Sequence, residues 1–189
     1  MTSGKNLKGL PKPVKIISGI LYPKDVPELL EWTAGRLSER FGDIERESGP
    51  YDFDYTDYYR DISPNLARCF LSFRGVWNPG EIAVWKKFAV RVEACSADDA
   101  EGGRRVNVDP GYVDGARLVL ASTKDSAHRI YLGRGIYAEL TLRRRKSRWE
   151  SFSYTFPDFK SGVYCDFLDA VRLDWKRDIQ KQTSAGSSI

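Results

Sequence analysis

The sequence predicts an α+β domain. It has a largely antiparallel mixed sheet with helices packed on one face, a ferredoxin-like βαββαβ start, further strands, and a C-terminal helix. Three observations carry this. Strand-like apolar runs and two segments of helical period alternate through the first half. Strand-like segments dominate from residue 104 onward. The chain then closes on a segment whose apolar residues fall on a single helical stripe.

Taken in order, VKIISGIL at 14–21 is nearly all apolar, as a central strand buried on both faces requires. A helix follows. Asp25 and Glu28 have the spacing of a capping box, and Pro27 sits in the first turn. Val26, Leu29, Leu30, Thr33, Leu37 and Phe41 share a face that ends at Gly42. Residues 44–55 alternate loosely as one strand, TDYYRDISPN reads as a turn, and LARCFLSFR at 66–74 is a strand. Asn78-Pro79-Gly80-Glu81 opens the second helix, with Ile82, Trp85, Ala89 and Val92 as its buried face. Strands are expected near 104–109, 116–122, 129–132, 135–145 and 149–154. The closing helix places Tyr164, Phe167, Leu168, Val171, Trp175 and Ile179 on one stripe. One domain at 14–182 is thus flanked by a flexible segment at 1–13 and a disordered tail at 183–189.

Composition narrows the function classes. A chain of 189 residues with 41% hydrophobic and 30% charged residues has the makeup of one soluble globular domain. A net charge of +4 permits an anionic partner but falls short of the footprint of a dedicated nucleic-acid binder. Three widely spaced cysteines and one histidine leave no CxxC pair and no Cys/His zinc cluster, and they fit the reduced thiols of a cytoplasmic protein. No run approaches the ~20 apolar residues of a membrane span, so no membrane partner is expected. GRG at 133–135 lies between strands, not ahead of a helix, so it is no phosphate loop, and no Gly-x-Ser-x-Gly elbow occurs.

Polar residues concentrate in one stretch. Successive strand residues face opposite sides. Arg105, Asn107 and Asp109 therefore oppose Val106 and Val108, while Tyr137, Glu139, Thr141 and Arg143 oppose Ile136, Ala138, Leu140 and Leu142. Asp109-Pro110-Gly111-Tyr112 has the composition of a turn. Lys124 and Asp125 begin a loop, and His128 and Arg129 open the next strand. Loops at strand ends are where scaffolds mount chemistry.

These residues carry a resemblance. DYTDYY (Asp54–Tyr59), RVNVDPGY (Arg105–Tyr112), LVLASTKDSAHRIYLGRGIYAELTL (Leu118–Leu142) and YTFPDF (Tyr154–Phe159) are similar to domain of unknown function family 4416, small prokaryotic proteins. The resemblance covers residues 11–175. It implies signature positions at Asn107, Asp109, Tyr112, Lys124, Asp125, His128, Arg129, Tyr131 and Glu139, with Thr56, Tyr58, Tyr59, Glu93 and Asp158 beside them.

This set suits a nucleotide or other phosphorylated ligand. Arg129 forks a phosphate and Lys124 supplies a point charge. Asp109, Glu139 and Glu93 are candidate Mg²⁺ ligands. Asp109, His128 and Glu139 are the candidate catalytic groups, with His128 able to move a proton near neutral pH. Tyr58, Tyr59 and Tyr112 offer rings to a base or sugar, and Asn107, Asp125, Tyr131, Thr56 and Asp158 complete the ligand-binding set. Two alternatives stand beside it: RNA binding through the basic run RRRKSRW at 143–149, and a structural or partner-binding protein whose polar set is an internal network.

Overall fold

The computed structural model describes residues 11–97 and 103–186. Its elements are β1 (Lys15–Pro23), α1 (Glu28–Phe41), β2 (Ile44–Glu47), β3 (Tyr51–Phe53), β4 (Leu66–Phe73), α2 (Ile82–Cys95), β5 (Asn107–Val113), β6 (Arg117–Ser122), β7 (Ile130–Gly133), β8 (Ile136–Arg145), β9 (Arg148–Ser151), α3 (Pro157–Lys160) and α4 (Cys165–Gly186). The strands form one antiparallel sheet in the order β2-β4-β1-β5-β6-β8-β7, with β3 beside β4 and β9 beside β8. The α+β class and the closing helix are as the sequence predicts. The run from β2 to β5 has the strand order of a ferredoxin-like unit.

Every residue of β1 is buried, because it lies between β4 and β5 and has helices above and below. Ile16, Ile20, Leu71, Phe73 and Val108 pack with Leu37, Phe41, Trp85 and Ala89 of α1 and α2. The alternate residues Ile17 and Phe70 pack with Phe159, Tyr164, Phe167, Leu168 and Val171 of α3 and α4. The helices are therefore divided between faces. α1 and α2 share one side, as the ferredoxin-like half requires, and the closing helix covers the other. Phe70 anchors that second side, with its ring 4.7 Å from Tyr164 and 5.8 Å from Phe167; each such ring pair adds ~0.5–1.5 kcal/mol beyond area burial.

Several expected boundaries move. The Asp25–Glu28 capping box does not form. Pro27 stands at the helix N-cap with no side-chain cap, because a turn from Pro23 brings the chain in. Gly42 ends α1 at φ 80°, donating to the Ser38 carbonyl. The strand expected over 44–55 is two, broken at Ser48-Gly49-Pro50, and both halves pair with β4. The four-residue α3 was not expected. Of the N-terminal segment 1–13, residues 1–10 lie outside the described residues, and the Pro13 carbonyl accepts a 2.7 Å hydrogen bond from Trp175. Of the tail 183–189, residues 183–186 continue α4 and 187–189 lie outside the described residues.

A charge cluster fastens α4 to the sheet. The Lys15 side chain is fully buried, with Nζ 2.5 Å from Glu45 and 2.6 Å from Asp178. Arg46 and Arg177 both pair with Asp174, Arg177 at 2.9 Å. Burial alone would raise the Asp174 carboxyl, but the hydrogen bond from Arg46 and the charges of Arg46, Arg177 and Lys15 outweigh it and hold the pKa below the ordinary value. A lowered folded-state pKa contributes stability that is full above the unfolded value of ~3.9 and lost as pH falls through the folded one. Asp174→Asn is therefore expected to destabilise at pH 7, with the gap to wild type closing as pH drops below ~4. Urea unfolding at neutral and acid pH measures this, and a gap constant with pH would contradict it.

Candidate functional site

Strand alternation sends Arg68, Asp109, Glu139 and Thr141 to the face that α3 and α4 cover. At the far end of that face lies a cleft of about 610 Å³. The Tyr58–Tyr59–Asp61 segment walls one side, Phe156 and Phe159 another, and Ser122, Thr123, Lys124 and Arg129 a third.

The cleft exists because the sheet splits. Pairing of β5 with β6 stops at Gly111 and Leu120. Pro110 lies in the strand opposite Ser18 of β1, and it has no N–H to give β6. The expected turn at Asp109–Tyr112 is therefore continuous strand. Proline ends the ladder, and glycine lets β6 come close: a Cβ on Gly111 would sit 2.2 Å from the Val119 carbonyl oxygen.

Below the split, side chains of α2 replace the missing strand. The Val108 N–H donates to Glu93 Oε1 at 2.8 Å, and Lys86 Nζ donates to the Val108 carbonyl at 2.6 Å. Both backbone groups are thus satisfied without β6. Lys86 also pairs with Asp109 at 3.1 Å and Glu93 at 3.3 Å. Asn107 donates to Asp109 at 2.8 Å, and Arg104 donates to Asn107 at 2.9 Å. Burial would raise the Asp109 carboxyl, but the charges of Lys86 and Arg68 and the bonds from Lys86 and Asn107 hold it below the usual carboxylate range. Tyr59 is pushed well above the ordinary phenol value by its burial and by the charge of Asp109.

A second network forms the opposite wall. Glu139 Oε2 takes Arg129 Nε at 2.9 Å and His128 Nε2 at 3.0 Å. The other imidazole nitrogen lies 3.2 Å from Ser126 Oγ, and the ring stacks on Tyr154 at 4.3 Å. Arg129 Nη1 donates to Ser122 Oγ at 2.7 Å and to the Lys124 carbonyl at 3.1 Å. Lys124 Nζ sits 3.1 Å above the Tyr58 ring.

The structure thus brings Asn107, Asp109, Glu93, Lys124, Arg129, Glu139, Tyr58 and Tyr59 to one cleft. His128 stands behind Glu139. The others lie elsewhere. Tyr112 lines a separate groove with Trp175. Asp125 is exposed, where its charge acts on Tyr137. Tyr131 is 59% exposed on β7, with its hydroxyl accepting from Gly135. Thr56 accepts from the Tyr58 amide. Asp158 is fully buried behind the cleft, 3.0 Å from Arg68. Ile136 and Leu142, expected on one face, enter opposite cores because a bulge at Thr141 shifts the β6–β8 register. As for a metal, Asp109, Glu93 and Glu139 are each held by cations. No group of three His, Cys, Asp or Glu suited to a metal occurs among the described residues.

Arg68, Lys86 and Arg104 were not anticipated. Their signal was available: Lys86 and Glu93 extend the apolar stripe of α2, and Arg68 interrupts a strand that is otherwise apolar. Buried charges of that kind are retained only with partners.

The fold and its cleft define a class, an α+β domain with a charged pocket where two strands part. The family model described as Domain of unknown function (DUF4416) matches residues 12–175, and the chain belongs to that family. No curated protein and no solved structure matches the chain. No helix among the described residues is long and apolar enough to cross a membrane.

Proposed function

We propose that the cleft binds a small phosphorylated ligand of the nucleotide class, in a cytoplasmic setting where such ligands are held. The observation that carries this is the convergence of Arg68, Lys86, Arg104, Lys124 and Arg129 on one concave space that also exposes the rings of Tyr58 and Phe156. Cationic donors recognise phosphate oxygens, and aromatic faces take a base or sugar. The volume falls within the range of small-molecule sites. In this reading Asp109 and Glu139 accept hydrogen bonds from ligand hydroxyl or amino groups. Mg²⁺ enters with the ligand's phosphate, since the protein's own carboxylates are already paired.

RNA binding draws less support. Arg143 pairs with Glu150 at 2.9 Å and Arg144 with Asp169 at 2.9 Å, so part of the basic run is internally engaged. The central strands have helices on both faces, which leaves them no open surface for stacked bases.

Thermal-shift and calorimetric titration with nucleotides and sugar phosphates, each with and without Mg²⁺, tests the proposal. A ligand at a hundred times its Kd stabilises the fold by ~2.7 kcal/mol, seen as a rise of several degrees in Tm. Failure of every phosphorylated compound to move the midpoint would remove this reading and leave the polar set as an internal network.

A further inference from the structure

Within the cleft the charges are almost fully matched. Arg68 faces Asp158, Lys86 faces Asp109 and Glu93, Arg104 faces Glu93 and Asp61, and Arg129 faces Glu139. Lys124 is different. Its ammonium rests on the Tyr58 ring and has no carboxylate within ion-pair distance among the described residues. An aromatic face holds a cation without neutralising it.

Two further donors lie next to it. Arg129 uses Nε and Nη1 on protein acceptors, one of them the Lys124 carbonyl, and its Nη2 makes no protein hydrogen bond among the described residues. The Thr123 hydroxyl is likewise unpartnered there, and Thr123 lines the cleft. An ammonium, one guanidinium nitrogen and a hydroxyl thus stand on one short loop with no acceptor of their own. The opposite end has the reverse character. Glu93 and Ala94 line it from the last turn of α2, where the helix dipole is negative.

We infer that Thr123, Lys124 and Arg129 form the seat of a single phosphate group, and that the ligand is a monophosphate and not a polyphosphate. This rests on the phosphorylated-ligand reading above and narrows it. One uncompensated cation with two free donors matches one phosphate group. A second or third group would extend toward the carboxylates of Glu93 and Asp109 and the C-terminus of α2, where the one cation with a spare donor, Arg104, is already charge-paired with Glu93 and Asp61. The Tyr58 ring is the partner that Lys124 exchanges for the phosphate, so Tyr58 is free to pack on the ligand's organic part once it is seated.

The test is isothermal calorimetry on the full chain. For each base the series is nucleoside, 5′-monophosphate and 5′-triphosphate, with and without Mg²⁺; ribose 5-phosphate and inorganic phosphate complete it. The monophosphate is expected to bind about tenfold or more tighter than its nucleoside, the gain of a charge-assisted hydrogen bond. The triphosphate is expected to bind no tighter than the monophosphate. Lys124→Ala is expected to erase the monophosphate's advantage over its nucleoside, and Lys124→Arg to restore it. A triphosphate that binds tighter overturns the inference while sparing the broader reading. So does a monophosphate that binds Lys124→Ala and Thr123→Ala as it binds wild type. Silence across the whole series, inorganic phosphate included, removes both.

Discussion

Gly111→Ala is expected to destabilise the fold by ~3 kcal/mol or more, at the top of the range for inserting atoms into a packed interior. The reason is local. The added methyl would sit 2.2 Å from the Val119 carbonyl oxygen and 3.0 Å from the Leu120 Cα, both backbone atoms. No side-chain rotation relieves such a contact, so β6 must move away. Movement there widens the split and pulls Ser122 and Lys124 from the cleft, so under the proposed function ligand affinity falls with stability. Chemical denaturation of Gly111→Ala beside Gly115→Ala is a useful pair. The second contact is with side-chain atoms alone, the rim of the Trp175 indole at 2.8 Å. A Gly111→Ala protein as stable as wild type would show that β6 is not held where the ladder places it.

The second large effect concerns Asp158 and Arg68. Both are buried almost completely, 3.0 Å apart, and Tyr164 donates to Asp158 at 3.1 Å. Phe53 lies against the Arg68 guanidinium at 4.7 Å and Phe159 at 5.6 Å. Removing one charge of such a pair leaves the other stranded in an apolar environment, at a cost of ~3–5 kcal/mol. Asp158→Ala is expected to lose about that much. The double variant Asp158→Ala with Arg68→Met should recover a large part of it, because no unpaired charge remains and the methionine refills the volume. A double-mutant cycle by urea unfolding decides the matter. If the double variant is as unstable as the sum of the singles, the pair is not acting as a pair. Arg68 lines the cleft while Asp158 does not, so Asp158 belongs to the site as the residue that holds Arg68 in place.

Residues whose own chemistry dictates their place were legible in the sequence. The apolar run at β1, the Asn78-Pro79 start, and the stripe of Ile82, Trp85, Ala89 and Val92 all follow from period and capping, and tertiary contacts only reinforce them. The two-residue alternation of β5 and β8 put Asp109 and Glu139 on polar strand faces, but it said nothing of Arg129, which stands in the loop ahead of β7. What escaped depends on neighbours distant in the chain. Asp-Pro-Gly has turn composition, yet β1 pairs along its whole length, and long-range pairing overrides local preference. The bulge at Thr141 inverts a parity that counting cannot detect. Lys86 reads as an ordinary helix lysine until Val108 and Asp109, more than twenty residues on, are seen to depend on its ammonium.

That dependence has a consequence for how the molecule adapts. The free edge of β5 at Val108 is satisfied by a lysine and a glutamate of α2, and backbone pairing plays no part there. Shortening the glutamate, as in Glu93→Asp, would therefore take the acceptor away from the Val108 amide while the ladder between β1 and β5 stays in register.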